Sequence, residues 1–190
     1  TYTHACWGHF SEGLNNYVLN CINCTCPPIA NPNTKAKKKH SGSTLLAIDV
    51  DNDNDKDLIL GDVSYNNLNL LINGGNNQTA HITSVDSAFP ANNDSTIALN
   101  LDNYPAPFYL DVTNDGKKDL VVSTNSANNA ENFNSCWLYQ NSGTNNKPDF
   151  NFIKDNFMQD EMIDLGTGSY PTFYDYNNDS LMDIVVGNYG

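Results

Sequence analysis

The chain of 190 residues has no arginine, and its 9 basic residues, all lysine, face 22 Asp and Glu, for a formal net charge of -13 and a pI near 4.3. Gripping phosphate backbones takes clustered Lys and Arg, so this balance argues against nucleic acid as a partner. No apolar run approaches the ~18 residues of a transmembrane helix. The opening residues, Thr1 to Cys6, do not read as a signal peptide, as in a mature secreted protein. With no Arg and only 4 His, side chains suited to acid–base work at neutral pH are scarce. No Ser/His/Asp set and no Gly-rich phosphate loop is visible. Asn, by contrast, makes up about a sixth of the chain, and its tolerance of turns and positive φ favours many short strands over helices.

What the chain does have is a repeated acidic loop. Asp49, Asp51, Asp53, Asp55 and Asp57 fall within nine residues, between the apolar runs 45–48 and 58–60. Five carboxylates so close repel one another unless a cation sits among them, and oxygens at alternate positions suit a hard ion such as Ca²⁺. The pattern recurs at 111–119 and 175–183, each copy followed by a β-branched run, and the first Asp stands at 49, 111 and 175. Taking that Asp as position 1, side-chain oxygens occupy positions 1, 3, 5 and 9: Asp49, Asp51, Asp53 and Asp57; Asp111, Thr113, Asp115 and Asp119; Asp175, Asn177, Asp179 and Asp183. Position 7 (Asp55, Lys117, Leu181) offers its backbone carbonyl. An EF-hand needs a Glu at position 12 and flanking helices, but Leu60, Val122 and Val186 stand there, so the loops are read as the turns of β-hairpins. A fixed period of this size means an array of like units.

The strands expected from pattern and turn signals are 44–48, 58–61, 68–73 and 79–85 in the first unit. In the second they are 108–110, 120–123, 136–140 and 149–153, and in the third 172–174 and 184–187. Four short antiparallel strands per unit is the composition of a propeller blade. The expected division is a Cys-containing segment and connector at 1–42, blades at 43–103 and 104–168, and the first half of a third blade at 169–190. A chain ending there is expected to be a piece of a longer one, with the outer faces of its first and last units uncovered. The excursion 124–134 is the best candidate for a specialised surface loop.

These three loops resemble FG-GAP/VCBS-type repeats, the calcium-loop blades of integrin-α-like β-propellers. The resemblance covers residues 43–190 and implies an all-β, seven-bladed propeller when complete, with structural Ca²⁺. It departs from the pattern at Asn54 and Ser180, which replace the usual Gly at position 6, and at Thr113, a weak ligand. Ser accepts positive φ least readily, which marks the third loop as the most divergent. The Lys-only, Asn-rich style is further similar to secreted VCBS-repeat proteins of Bacteroidota, many exported by the type 9 secretion system. The resemblance implies a non-catalytic calcium-binding module for a protein or glycan ligand, secreted, at the cell surface or on the periplasmic side of a bacterial outer membrane. An alternative is a subunit or partner of an outer-membrane type 9 translocon complex. A propeller polysaccharide lyase or glycosidase is the enzyme alternative, and outside the loops only Asp160, Glu161 and Asp164 cluster enough to host its chemistry.

Cys6, Cys21, Cys24 and Cys26 fall in the non-repeating segment. Two disulfides are the plainer reading in an oxidising compartment, with a zinc site or free thiols as alternatives. Cys136 is then left over, as a small buried residue beside Trp137, and the one basic run, Lys35 to His40, reads as a solvated loop. Alkylation of native protein without reductant is expected to leave these four cysteines unmodified by mass spectrometry; labelling of three or four in metal-free protein overturns the disulfide reading.

Overall fold

The computed structural model describes residues 7–12, 16–20, 42–91, 96–102, 104–126, 131 and 133–189. Two compact units divide the chain, Thr1–Gln159 and Asp160–Gly190. The first holds a two-stranded ribbon, β1 (Ser11–Glu12) and β2 (Tyr17–Val18), and two four-stranded sheets. The first sheet is β3 (Ser43–Ile48), β4 (Asp57–Asp62), β5 (Leu68–Asn73) and β6 (Ile82–Phe89); the second is β7 (Pro105–Leu110), β8 (Asp119–Thr124), β9 (Cys136–Asn141) and β10 (Phe150–Lys154). Both are antiparallel meanders in chain order. The protein is all-β, with two short 3₁₀ turns among the described residues.

β4 is buried along its whole length between β3 and β5, which is why residues 58–60 read as a continuous apolar run instead of an alternating one. Most strand boundaries lie within one residue of expectation, but β11 (Tyr170–Tyr174) starts two residues early, β6 runs on to Phe89, and the starts of β7 and β6 shift by three. β7 starts at Pro105, three residues early, because Pro105 and Pro107 lack N–H groups that an edge strand paired only to β8 does not need. β6 starts at Ile82 and not at 79, because Asn76 and Thr79 close a tight turn on each other with bonds of 3.0 and 3.2 Å. Thr144 and Lys147 close the same turn in the second sheet, and β10 starts after it.

The core lies between the two sheets. Ile48, Ile59, Leu68, Leu70 and Phe89 meet Leu120, Val122, Tyr139 and Phe150, and Leu99 and Leu101 from the β6–β7 connection join them. Each fully buried side chain of this kind contributes about 1.5–3 kcal/mol. The connection is tied at both ends: Leu101 N–H donates to Asn66 O (2.9 Å), and the buried Thr96 hydroxyl donates to Phe150 O and accepts from Phe152 N–H (3.0 Å). On the inner side the Thr44 hydroxyl donates to Pro105 O at 2.6 Å. A Cβ on Gly61 would lie 1.9 Å from that same oxygen, so only glycine lets β7 approach.

The opposite face of the first sheet, Leu58, Leu60, Leu71 and Ile82, is also covered, by Phe10, Tyr17 and Leu19. Tyr17 OH donates to Glu12 Oε1 (3.2 Å), His81 Nε2 meets Asn20 Oδ1 (2.6 Å), and the His9 and His81 rings lie edge to face at 5.9 Å. Counted from position 1 of each loop, Leu58 and Leu60 correspond to Leu120 and Val122, through which the second sheet faces the first. Residues of the N-terminal segment thus stand where a preceding repeat would. That corrects the expectation of an uncovered face on this unit and of a segment that merely connects.

The second unit contains a two-stranded hairpin, β11 (Tyr170–Tyr174) and β12 (Asp183–Gly187), in unbroken register, with Tyr170 and Tyr189 edge to face at 6.0 Å. Its apolar side chains Phe173, Ile184 and Val185 are exposed. Among the described residues no helix is long and apolar enough to cross a membrane. Cys6, Cys21, Cys24, Cys26 and the run Lys35 to His40 lie outside the described residues, as do 127–130 and 132 of the candidate surface loop. Cys136 is a free thiol at the start of β9, half-buried and not enclosed, and burial pushes its thiol up. Gly61→Ala is expected to cost about 1–3 kcal/mol in denaturant unfolding by forcing the two sheets apart; an unchanged midpoint refutes the close-approach account.

Candidate metal centre

Each acidic loop joins the first two strands of its unit, and all three share one backbone. Positions 4 and 6 are left-handed throughout: Asn52 (φ 69°) and Asn54 (70°), Asn114 (58°) and Gly116 (86°), Asn178 (60°) and Ser180 (70°). Asn takes this conformation at modest cost because its short amide bonds locally. Ser180 takes it too, so the expected weakness at position 6 does not alter the loop's course.

Three hydrogen bonds recur with it. The position 1 carboxylate accepts from the N–H of position 6, in Asp49–Asn54 (3.2 Å), Asp111–Gly116 (2.9 Å) and Asp175–Ser180 (2.9 Å). The position 5 carboxylate accepts from the N–H of position 7, in Asp53–Asp55 (2.9 Å), Asp115–Lys117 (2.9 Å) and Asp179–Leu181 (2.8 Å). The position 9 carboxylate accepts from the N–H of position 2, in Asp57–Val50 (2.8 Å), Asp119–Val112 (3.2 Å) and Asp183–Tyr176 (2.8 Å). Each loop is thereby wound by three of its side chains accepting from its own backbone N–H groups.

In the two complete sheets the position 9 Asp does more. Asp57 Oδ1 accepts from Asn73 N–H (2.8 Å) and Asp119 Oδ1 from Asn141 N–H (2.9 Å), fastening the loop to the end of the third strand. Both Asp residues are fully buried. Asn73 and Asn141 are buried in turn, and their side-chain carbonyls accept from the N–H of Gly75 and His81, and of Gly143 and Asp149, at 2.7 to 3.1 Å. Neither Asn was among the expected site residues, although the paired turns Asn73-Gly74-Gly75 and Asn141-Ser142-Gly143 mark them in the sequence.

Among the described residues, only the first loop gathers three carboxylates, Asp49, Asp51 and Asp57, with one oxygen of each within 4.8 Å of the others. Asp53 is exposed at its rim. The second loop has Thr113 where the first has Asp51, and its hydroxyl donates to Asp119 Oδ2 at 3.3 Å. In the third, Asn177 donates to Asp179 Oδ2 at 3.0 Å. Asp55 is 2% exposed, and the Asn73 side chain is the donor that lies towards its otherwise unpartnered carboxylate. A buried, ionised carboxylate in that position costs on the order of several kcal/mol unless a cation or a proton relieves it. Burial and then the charges of Asp53, Asp51 and Asp49 push its carboxyl above the ordinary range. Burial likewise raises Asp57 to about 6, against the hydrogen bonds from Val50 and Asn73 that pull it down. This donor set of four or five hard oxygens fits a divalent cation such as Ca²⁺ better than a transition metal.

The acids considered for catalysis do not form such a centre. Asp160 and Glu161 are exposed in a 3₁₀ turn, Gln159–Glu161, and Asp164 accepts from Gly166 N–H (2.8 Å) in a local turn of its own.

Residues 111–186 match the family model described as an FG-GAP-like repeat, a span running from position 1 of the second loop through β12 apart from its last residue. The first loop lies outside the matched span and has the same backbone and hydrogen bonds. No curated protein and no solved structure matches the chain.

Carboxyls raised in the folded state bind protons that the unfolded chain has already released, so their stabilising contribution is present at low pH and lost as pH rises through the folded value. In metal-free buffer, stability is therefore expected to rise as pH falls from 7 towards 5, with Asp57 taking up a proton. A flat or opposite profile between pH 5 and 7 for chelator-treated protein contradicts the raised carboxyls.

Proposed function

We propose that this chain is part of a β-propeller-type array whose loops bind Ca²⁺ structurally, and that it acts as a non-catalytic binding module for a protein or glycan. The observation that carries the reading is the shared winding of three loops whose sequences differ at positions 2, 3, 6, 7 and 8. What they keep in common is side-chain oxygen at positions 1, 3, 5 and 9. In the first loop Asp49, Asp51, Asp53, Asp57 and the carbonyl of Asp55 would hold the ion; in the second, Asp111, Thr113, Asp115, Asp119 and the carbonyl of Lys117; in the third, Asp175, Asn177, Asp179, Asp183 and the carbonyl of Leu181. Bound Ca²⁺ supplies the charge that lets these carboxylates share a hairpin end, and so stiffens the loop rim of each sheet.

Loops of this kind fill at millimolar calcium, which favours an extracellular or cell-surface setting. The Lys-only, Asn-rich composition supports a second reading, a subunit or partner of a bacterial outer-membrane type 9 secretion complex. Recognition on such a scaffold belongs to the loops between strands, and its chemistry does not follow from the fold.

Chelation is expected to lower the melting temperature by roughly 5 °C or more, and Asp53→Ala to reproduce much of that loss. A melting curve indifferent to both calcium and chelator sinks the metal reading. Capture of a specific protein or glycan by the full-length chain, reduced by chelator, supports the module reading; hydrolysis or elimination of a polysaccharide by it overturns the non-catalytic one.

A further inference from the structure

Counted from the first Asp of each loop, positions 10 and 12 are apolar in all three units: Leu58 and Leu60, Leu120 and Val122, Ile184 and Val186. In the second sheet they form the face that docks on the first. The first sheet has the same face, with Leu71 and Ile82 beside it, and what buries these side chains is Phe10, Tyr17 and Leu19. Tyr17 and Leu19 alternate with the exposed Val18 and Asn20, so the segment turns one side of a short extended run to the sheet. Gly8 comes closer still: a Cβ there would lie 2.8 Å from Ile82 Cγ1, on a backbone at φ 72° that suits glycine. β1 and β2 pair with each other and with no strand of the first sheet, so the segment is held there by side chains, including the Asn20 contact with His81 and the edge-to-face rings of His9 and His81. A strand added to the unit would pair along a sheet edge through its backbone. This segment lies across the face instead.

We infer that residues 7–20 are a self-cap on the first unit: they fill the docking face that a preceding repeat would use, and keep any repeat off it, whether from elsewhere in this chain or from a second copy. The array therefore does not close into a ring through its first unit. This goes beyond the calcium-loop reading and does not depend on it. Arrays of repeats need an end of this kind, because a unit whose interface face is bare is poorly soluble. A contiguous apolar face left open also draws chains together, so with the cap lifted the occupant expected on Leu58, Leu60, Leu71 and Ile82 is a second copy of this chain.

The experiment places a probe thiol on the face. Leu60→Cys in the full-length chain is labelled with a maleimide and followed peptide by peptide in mass spectrometry, with and without the pair Phe10→Asp and Tyr17→Asp that lifts the cap. Labelling of the probe is expected to be slow with the cap in place and to rise roughly 10-fold or more once it is lifted, while sedimentation shows the lifted chain associating with itself. Leu120→Cys, buried between the two sheets, reports a folded chain by staying slow. Gly8→Val lifts the cap without adding charge and gives the same comparison should the double substitution fail to fold. A probe that reacts fast with residues 7–20 intact shows the face uncovered, and one that stays slow after lifting shows another element covering it. Either result overturns the self-cap, and neither bears on the calcium loops.

Discussion

Everything in the repeat depends on one buried carboxylate, the Asp at position 9 of the loop. Asp57 and Asp119 stand at the first residue of the second strand with no exposure, each bonded on one oxygen to the start of the loop and on the other to the end of the third strand. Removing water from a carboxylate is costly, and two backbone donors repay that cost only if loop and strand stay in register. The Asp is therefore less a metal ligand that happens to be buried than a clamp that fixes where the loop sits. Asn73 and Asn141 continue the clamp outward: their N–H groups feed the Asp, and their side chains order the turn into the fourth strand. In this way one chain of hydrogen bonds runs from the acidic loop to the turn before the outer strand.

Much of this was legible because the repeat supplies an internal comparison. Position 1 at 49, 111 and 175 located the hairpins, and the apolar runs after each loop located the central strands. What stayed hidden followed from packing. Pro105 and Pro107 argue against a strand until it is known that β7 lies at an edge. The β6–β7 connection looks like polar linker, yet Thr96, Leu99 and Leu101 are buried in it and complete the core between the sheets. A tight turn at Asn76 and Thr79 delays the fourth strand by three residues, and no local propensity distinguishes that turn from strand. At position 6 Ser180 takes the positive φ of its counterparts, and its N–H bonds to Asp175 as theirs do to the first Asp of each loop.

The asymmetry between the loops separates fold from ion binding. Thr113 and Asn177 lie in loops that keep the winding of the first while having fewer carboxylates, so the winding does not require five acids. The backbone bonds fix the shape, and the extra acids at positions 3 and 7 are a surplus confined to the first unit. Surplus charge in a structural loop works against folding unless a cation or a proton offsets it.

The N-terminal segment alters what kind of array this is. In a closed ring each blade presents one face to the blade before it and the other to the blade after it, and the first blade's free face waits for the last. Here the first sheet's corresponding face, built on Leu58, Leu60, Leu71 and Ile82, is already met by Phe10, Tyr17 and Leu19. A repeat of the same kind and these residues cannot both lie on Leu58 and Leu60. Covering an apolar sheet face in this way trades a repeat interface for a soluble surface. The segment manages this with aromatic bodies inward and polar tips outward, as in Tyr17 bonding to Glu12 and Asn20 reaching His81. Both four-stranded sheets are antiparallel meanders in chain order, and on the first of them the face that corresponds to the contact surface of the second is covered by Phe10, Tyr17 and Leu19.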